Sequence, residues 1–236
     1  CMKMPKDWMD KASRLDFDPQ ANLTTCFGAE DADVTIGDLL LAAIEDEEFP
    51  EQDTYIRERK GVYFIPSSIG LSAAEAKLRL EMGAEKMLAA VLKPLKNDYD
   101  YILIDCMPSL GMMTINALVA SDSVLIPVQA AYLPVKGLQQ LMKTILMVKK
   151  RLNRGLKIQG ILLTMVDYRT NYAKDIAAKL HETYGSRITI FNNSIPMSVK
   201  AAETSAEGVS IYSHCPKSKV AEAYRNLTQE VLNSEK

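Results

Sequence analysis

The chain has 236 residues, 47% of them apolar and 25% charged, and a formal net charge of −2 at pH 7. This length and composition suffice for one substantial α/β domain, and no change of composition marks a linker. We therefore expect an atypical leader at residues 1–14 and a single domain at residues 15–236. A nearly neutral chain has no global positive field, so any binding to nucleic acid or to an anionic membrane must be local.

The spacing of the cysteines and the composition of the N-terminus indicate a cytoplasmic protein. The four cysteines are far apart and form no C-x-x-C pair, which argues against a zinc site and against a small disulfide scaffold. The first fourteen residues lack the apolar core of a signal peptide, and no segment has 18 uninterrupted apolar residues. We expect a cytoplasmic protein that does not enter a membrane.

Helical and strand-like segments alternate along the chain, which predicts an α/β fold with a doubly wound, mostly parallel sheet and helices on both faces. An S-x-x-E capping box at Ser72 and Glu75 predicts the start of a helix that Pro94 helps to end. In chain order, the first predicted elements are a strand that ends before Asp18, a helix at 36–44, a strand from Val62, a helix at 72–94, a strand at 101–104 and a helix at 114–120. They are followed by a strand at 123–129, a long helix from Pro134, a strand at 158–166, a helix at 172–184, a strand and loop at 187–196 and a helix from about Lys217. The long helix should bury Val135, Leu138, Leu141, Met142, Ile145 and Leu146.

Carboxylates follow two of the predicted strands. In YDYILIDCMPSLG, four consecutive apolar residues predict a strand buried on both faces, and the strand leads into Asp105. In RLDFDPQ, Asp16 and Asp18 alternate with apolar residues. Because ligands of open α/β sheets lie at the carboxyl edge, Asp18 and Asp105 could share one site with Mg²⁺ and a polyphosphate. The alternative is that these residues only cap the helix or turn that follows.

Five segments in a fixed order carry a family resemblance. LDFDPQANLTTCFG, YDYILIDCMPSLG, SVLIPVQAAYLPVKGLQQL, GILLTMVDYRTNYAKDI and SIPMSVKAAETSAEGVSI resemble consecutive blocks of the ParA/Soj family of chromosome and plasmid partition ATPases. The resemblance runs from about Leu15 to the C-terminus. It implies a P-loop NTPase-like fold, with ATP and Mg²⁺ as cofactors. It also implies an ATP-dependent homodimer that binds DNA non-specifically, and a ParB-like partner that stimulates hydrolysis.

The resemblance also assigns residues. Asp18 matches the second Asp of the D-x-D-P-Q block, which is associated with positioning the hydrolytic water and the metal. Asp105 matches the Asp that supports the Mg²⁺ shell, so Asp18 and Asp105 are the expected catalytic and metal residues, with the metal bound through water. Pro196 and Ser198 match the part that lines the adenine pocket. Together with Asp16, they are the residues expected to bind the nucleotide cofactor.

Only part of the family's DNA-binding pattern is present. Lys200 matches a basic position, whereas Met197 stands where Arg is usual and Val209 where Lys is common. Fewer phosphate contacts predict weaker and less salt-sensitive DNA binding. The basic run at residues 149–157 either contacts DNA or is a solvated face that the helix dipole favours. Arg169 matches the family's pattern, but the sequence does not decide its role. It could form a buried ion pair, contact the nucleotide or contact DNA.

The family's phosphate loop is not found in the sequence. Members open with a strand and a K-G-G-V-G-K-T-T loop, whose backbone N–H groups and lysines bind the phosphates ahead of a helix. None of the eleven glycines here is followed by Lys, and the closest pair, Gly155 and Gly160, is five positions apart. Fourteen residues precede Leu15, whereas a strand, loop, helix and second strand need roughly 30. We therefore expect a truncated member that lacks the first strand and the loop.

This absence has two expected consequences. Phosphoryl transfer depends on positioning the phosphates and neutralising their charge, so we expect very weak ATP binding and negligible hydrolysis. Loss of a strand that is central in the family's sheet should also leave unpaired edges on both of its neighbours. The leader either covers this gap as a short helix, with Met4, Trp8 and Ala12 on one side, or is a frayed tail.

Three functions are compatible with these observations. The first is a ParA-type partition ATPase with an impaired nucleotide site. The alternative, from another class, is a non-catalytic ParA-like interaction protein that keeps partner-binding helices such as residues 134–152 and binds a ParA or ParB partner. A MinD-like membrane protein is less compatible, because the C-terminal LTQEVLNSEK has no strongly basic amphipathic face.

Overall fold

The computed structural model describes residues 12–59 and 61–234, without the side chains of residues 132–135. The described residues form two compact units, a first unit at residues 12–121 and a second unit at residues 122–234. The predicted leader lies outside the described residues except for residues 12–14, which belong to the first strand and not to a helix. The prediction of one domain from residue 15 stays a prediction.

The first unit contains a four-stranded sheet with the order β2-β3-β1-β4. Strands β3 and β4 both pair with β1 in parallel, and β2 is an antiparallel edge strand. Helices connect the parallel strands, as they must when consecutive parallel strands lie in one sheet. The elements of the first unit are β1 Ala12–Phe17, α1 Asn22–Cys26, α2 Ile36–Glu45, α3 Gln52–Tyr55, β2 Arg57–Arg59, β3 Val62–Ile65, α4 Leu71–Leu78, α5 Met87–Leu92, β4 Tyr101–Cys106 and α6 Met112–Ala120.

The core of the first unit lies between this sheet and its helices. Strand β1 has neighbours on both sides, and its residues from Ser13 to Phe17 are buried. A capping box starts α2, where the Thr35 backbone N–H donates to the Asp38 carboxylate at 2.8 Å. The largest apolar members of the core are Leu15, Phe17, Ile36, Leu39, Leu40, Leu71, Leu88 and Met113.

The single helix predicted at residues 72–94 is wrong. The structure has α4 and α5 in its place, separated by a turn in which Gly83 has a φ of +72°. Ser72 lies inside α4 and does not start it, so the predicted capping box is also wrong. Two apolar side chains of this turn are exposed, Leu80 by 86% and Met82 by 94%.

A buried side chain far along the chain explains the interruption. The Asn116 amide accepts a hydrogen bond from the Leu88 backbone N–H at 3.0 Å and donates to the Ala84 carbonyl at 2.8 Å. These bonds satisfy the backbone at the start of α5. Because Asn116 belongs to α6, no local pattern in residues 72–94 predicts these hydrogen bonds.

The prediction that β4 is buried on both faces is wrong as well. Leu103 is 38% exposed, and Asp105 and Cys106 are exposed. Strand β4 is the last strand of its sheet, and within the described part of the chain it pairs with β1 alone. An edge strand keeps one side open to solvent even when its sequence is apolar.

The second unit contains two full strands, which pair in parallel with an irregularity between Val124 and Leu125. Single parallel bridges join Ile161 to Ile190 and Val166 to Pro196. In the segment predicted as a strand and loop at residues 187–196, the strand is thus reduced to these bridges. The elements of the second unit are β5 Ser123–Gln129, α7 Tyr132–Arg151, β6 Lys157–Thr164, α8 Asn171–Tyr184, α9 Val199–Glu207, α10 Ile211–His214 and α11 Lys219–Ser234.

The buried face of α7 differs from its predicted stripe. Val148 is buried, whereas Leu146 is 54% exposed and Leu141 is partly exposed. The buried residues Leu138, Met142, Ile145 and Val148 follow the helical repeat of four and three residues. A second group packs α11 against β6 and the segment that follows α8, and comprises Leu162, Phe191, Ile195, Ile211, Val220, Ala221 and Leu227. Among the helices described, none has the length and apolar content to cross a membrane.

Candidate functional site

Three carboxylates lie at the carboxyl ends of neighbouring strands in the first unit, and we name Asp16, Asp18 and Asp105 the acidic edge. The register of the parallel pair places Asp16 of β1 directly opposite Asp105 of β4. Asp18 follows the last residue of β1, as predicted. The sheet therefore juxtaposes Asp105 with Asp16 in register, and Asp18 comes two residues later on the adjoining turn.

Asp16 uses both of its carboxylate oxygens within the chain. Its Oδ2 accepts hydrogen bonds from the Thr24 backbone N–H at 2.8 Å and from the Thr24 hydroxyl at 2.7 Å. Its Oδ1 accepts a hydrogen bond from the Asp18 N–H at 3.3 Å. The buried Asp16 carboxylate thus holds the turn that carries Asp18, which is a positioning role. Its predicted role on the cofactor side stays a prediction.

Two hydroxyl residues complete this arrangement, and sequence reasoning missed both. The Ser67 hydroxyl donates to the Asp18 carbonyl at 2.8 Å, and the Ser67 N–H donates to the Thr24 hydroxyl at 2.9 Å. Ser67 follows β3, whose carboxyl end meets the same edge of the sheet as that of β1. The signal that could have found it is a small hydroxyl residue directly after a strand end, in the predicted stretch VYFIPSS.

The electrostatics of the acidic edge favour a cation. Burial raises the pKa of Asp16, although hydrogen bonds from Thr24 oppose this effect. Burial also raises the pKa of Asp105, and the negative charge of Asp16 raises it further. Residue 105 is exposed by its accessible surface, although its carboxyl is partly desolvated. Two mutually repelling carboxylates become more stable when a cation is near.

The donor set at this edge fits Mg²⁺ bound mainly through water. Mg²⁺ usually binds to one or two carboxylates, keeps several waters and binds substrate phosphates. Within residues 12–59 and 61–234, no group of three or more His, Cys, Asp or Glu is placed to hold a metal ion directly. The assignment of Asp18 and Asp105 to a water-mediated metal site is compatible with this finding and stays a prediction.

The predicted adenine-side residues lie in the second unit, on the 192–198 loop. The Val166 N–H donates to the Ile195 carbonyl at 3.0 Å, and the Met197 N–H donates to the Val166 carbonyl at 3.0 Å. These bonds hold Pro196 beside the residues that follow β6. Ser198 is the N-cap residue of α9. The loop therefore lies at the carboxyl end of a parallel strand, where α/β proteins bind ligands.

Comparisons with known proteins agree with this architecture. A family model described as an AAA domain matches residues 9–158. The sporulation initiation inhibitor protein Soj of Bacillus subtilis (strain 168) is 39% identical over 219 residues, which span 92% of this chain and 84% of that protein. The chain belongs to the ParA/Soj family.

Further relatives of this ParA/Soj member extend the comparison. The chromosome partitioning protein ParA of Myxococcus xanthus (strain DK1622) is 37% identical over 218 residues, or 92% of this chain and 76% of that protein. A crystal structure of cobyrinic acid a,c-diamide synthase from Mycobacterium smegmatis, with bound ATP analogue and magnesium, is 30% identical. Its TM-score is 0.83, and the match covers 98% of this chain and 85% of the synthase. The predicted α/β class of the ParA/Soj member is confirmed.

The predicted DNA-binding residues of this ParA/Soj member are accessible. Lys200 is exposed in the first turn of α9, a helix that buries none of its residues. In the basic run, Lys150 and Arg151 are exposed in the last turn of α7, where the helix dipole also favours cations. These exposed positions are compatible with a DNA contact and with a solvated face.

Arg169 forms an exposed ion pair, so a buried ion pair is wrong. Its Nε donates to Oδ1 of Asp167 at 2.8 Å, and its Nη2 donates to Oδ2 at 2.8 Å. These hydrogen bonds lower the pKa of Asp167 to about 2. The Arg169 side chain is 87% exposed, which leaves the guanidinium accessible to a ligand.

Sequence reasoning also missed two sets of polar contacts in the second unit. His214 lies 3.1 Å from Glu203 and 3.2 Å from Glu207 through its two ring nitrogens. Glu230 of α11 accepts hydrogen bonds from Asn192 and Asn193. The partners of each contact lie on different elements, so local spacing does not reveal them.

Proposed function

We propose that this ParA/Soj member is a partition ATPase whose acidic edge holds Mg²⁺ through water and whose 192–198 loop lines the adenine. The observation that carries this proposal is the in-register pair of Asp16 and Asp105 at the carboxyl edge of a parallel sheet. The family relatives support it, because chromosome-partitioning ATPases are among them. In this proposal, ATP binding drives dimerisation and non-specific DNA binding.

Each residue of the acidic edge has a separate role in this proposal. Asp16 orients the turn through Thr24, and Asp18 orients the attacking water. Asp105 accepts hydrogen bonds from water in the metal's coordination shell. Magnesium, when bound, neutralises charge on the phosphates. Pro196 and Ser198 contact the base from the edge of β6.

We further propose that these 236 residues by themselves bind ATP weakly. No stretch of the sequence has the G-K-[ST] pattern, so no lysine is placed by that motif to neutralise the phosphates. The acidic edge alone brings negative charge towards an anionic ligand. A segment that supplies phosphate-binding N–H groups and a lysine should restore tight binding.

The proposed partners follow the family. A second copy of the chain and a ParB-like protein are the protein partners, and non-specific DNA is bound weakly through exposed cations such as Lys200. Cytoplasmic and nucleoid-associated localisation belongs to the same proposal. DNA affinity should fall less steeply with salt than in a relative with more basic residues at the contact.

A direct titration tests the nucleotide proposal. The purified chain is titrated with a fluorescent ATP analogue and Mg²⁺, alongside the variant Asp105→Ala and the matched control Asp100→Ala, which changes an exposed residue just before β4. Weak saturable binding, in the high micromolar to millimolar range, that only Asp105→Ala weakens further is the expected result. Equal binding by all three proteins would contradict the role of Asp105. No saturation at millimolar nucleotide would contradict nucleotide binding by this chain.

A second function, a non-catalytic interaction protein, is favoured by one observation. Helix α7 exposes apolar side chains, with Leu146 and Met147 beside each other on its surface. Exposed apolar residues on one helix mark protein interaction sites more often than single scattered ones. Association with an intact ParA-like or ParB-like protein in the absence of nucleotide, lost in Leu146→Glu but not in Lys150→Glu, would support this function. Association that requires ATP would contradict it.

A further inference from the structure

One carboxylate on the last helix of the second unit accepts four hydrogen bonds from a single loop. The Asn192 backbone N–H and its Nδ2 both donate to Oε1 of Glu230, at 2.8 Å and 3.1 Å. The Asn193 backbone N–H and its Nδ2 both donate to Oε2, at 3.1 Å and 2.6 Å. Every hydrogen bond in this set comes from the first two residues of the 192–198 loop.

The same loop is held at its other end by β6 and by Val166, which lies two residues after the end of β6. The Ile195 N–H donates to the Leu163 carbonyl at 2.9 Å, and the Met197 N–H donates to the Val166 carbonyl at 3.0 Å. Ile195 is buried, whereas Met197 is exposed. The loop therefore runs between two anchors, with Glu230 at its start and the end of β6 beside Pro196.

A carboxylate suits the first anchor better than any other side chain of similar length. An ionised Glu offers two acceptor oxygens and no donor, so it can accept all four bonds. A Gln at this position would present an NH₂ group to one of the two asparagines and lose acceptors. Hydrogen bonds to an ionised acceptor are also stronger than neutral ones.

We propose that Glu230 is a positioning residue, which fixes the 192–198 loop from α11 and thereby sets the affinity of the site for the adenine of a nucleotide. This inference rests on the proposed function for its ligand but not for its geometry. Glu230 does not contact the ligand in this proposal. It acts through Asn192 and Asn193, which precede Pro196 and Ser198 on the loop.

The electrostatics of Glu230 provide an independent readout. Burial raises the pKa of Glu230, but the hydrogen bonds from Asn192 and Asn193 outweigh this effect and lower the pKa below its ordinary value. The groups that face the carboxylate from the loop are these two amides, which are neutral. A carboxylate with a lowered pKa stabilises its contact above its unfolded-state pKa, and this stabilisation is lost as pH falls through the folded-state pKa.

The main test compares E230Q with the wild-type chain and with the control E222Q, which makes the same change at an exposed position of α11. Hydrogen exchange of residues 192–198 should become about tenfold faster in E230Q alone, because a charge-assisted anchor is lost. Two-dimensional NMR should show the Asn192 and Asn193 amide signals of the wild-type chain titrating together, with a midpoint below the usual glutamate value of about 4.3. Equal exchange in E230Q and E222Q, or no common midpoint, would overturn the proposal.

A second variant and a ligand titration complete the test. If E230Q does not fold, N193A removes one donor from the loop side and should speed exchange by a smaller factor. The fluorescent ATP analogue should then bind about tenfold more weakly to the loosened variant than to the wild-type chain. Unchanged binding in a variant with a loosened loop would overturn the role in affinity. A wild-type chain that binds no analogue contradicts the proposed function, whereas the exchange and NMR results decide the role of Glu230 separately.

Discussion

In the first unit the candidate site residues lie in hydrogen-bonded strands or directly after one, whereas in the second unit they lie on a loop that other elements hold in place. Asp16 and Asp105 are fixed by the register of β1 and β4. Pro196 and Ser198 lie on a loop that donates hydrogen bonds to Glu230 and exchanges backbone hydrogen bonds with residues at the end of β6. The first arrangement is set by sheet formation itself, and the second by these few hydrogen bonds.

The carboxylates of the two units also differ in the direction of their pKa shifts. The pKa values of Asp16 and Asp105 are raised, mainly because burial disfavours their charges. Repulsion from Asp18 adds to this effect at Asp16, and repulsion from Asp16 adds to it at Asp105. The pKa of Glu230 is lowered, since its hydrogen bonds outweigh its partial burial. A bound cation should therefore stabilise the charged carboxylates of the acidic edge. The Glu230 carboxylate is already stabilised by hydrogen bonds within the chain.

The largest effect should come from Thr24→Val, which removes the hydroxyl that joins Asp16 to Ser67. The substitution removes one of the hydrogen bonds to the buried Asp16 carboxylate and leaves the Ser67 N–H without its acceptor. The loss should lower the free energy of unfolding by roughly 3 kcal/mol. Urea unfolding measures this loss. The control Thr25→Val makes the same change at the exposed neighbouring position and should have little effect. Similar losses in both variants would show that the acidic edge does not depend on this network.

Gly160→Ala tests the close packing of the second unit. A Cβ at Gly160 would lie 2.8 Å from a ring carbon of Phe191 and 2.9 Å from the Thr189 carbonyl oxygen. Overpacking of this kind should lower the free energy of unfolding by roughly 2 kcal/mol. Gly155→Ala is the matched control, since the nearest atom to its Cβ would be 3.6 Å away. Unchanged unfolding of Gly160→Ala would mean that the segment beside β6 moves freely, which would widen the contrast with the first unit.

A smaller effect of the opposite sign is expected for Asp105→Asn. Because folding raises the pKa of Asp105, the stability linked to this group is present at low pH and lost as pH rises through the folded-state pKa. At pH 7 the Asn variant should therefore be more stable than the wild-type chain, by less than about 1 kcal/mol because residue 105 is exposed and screened by water. The difference should shrink as pH is lowered.

Adding Mg²⁺ gives a second test of the repulsion inferred at Asp105. The cation should stabilise the wild-type chain more than Asp105→Asn, which is measured by urea unfolding with and without the ion. The control Asp100→Asn should follow the wild-type chain in both conditions. A wild-type chain that is the more stable protein at pH 7 without Mg²⁺ would contradict the repulsion inferred at the acidic edge.

The smallest effect on stability should come from Arg169→Ala. Exposed ion pairs contribute little to stability, so the urea midpoint should not change measurably. The titration of the partner should change, because hydrogen bonds from Arg169 hold the pKa of Asp167 at about 2. Carbon-detected NMR should show the Asp167 carboxyl titrating at a higher pH in the variant. An unchanged titration would contradict the ion pair.

Local pattern predicted the elements that carry the site more reliably than their surroundings. The strand before Asp18, the helix at residues 36–44 and the strand of SVLIPVQ are confirmed, because each has its own periodicity and end signals. The helix at residues 72–94 was wrong, because Asn116 from another helix interrupts it. Burial of β4 was also wrong, because burial depends on the position of a strand in its sheet and not on its composition.

Apolar periodicity and ordered motifs are local properties of a chain, so they suffice to predict the α/β class, the family and the placement of Asp18 and Asp105 after predicted strands. The packed structure was needed to place Asp16 opposite Asp105, to join Thr24 and Ser67 to the turn that carries Asp18, and to bring Glu230 to the 192–198 loop. These relations join residues that are 8 to 89 positions apart. Strand register and long-range hydrogen bonds arise when elements pack, so no local pattern encodes them.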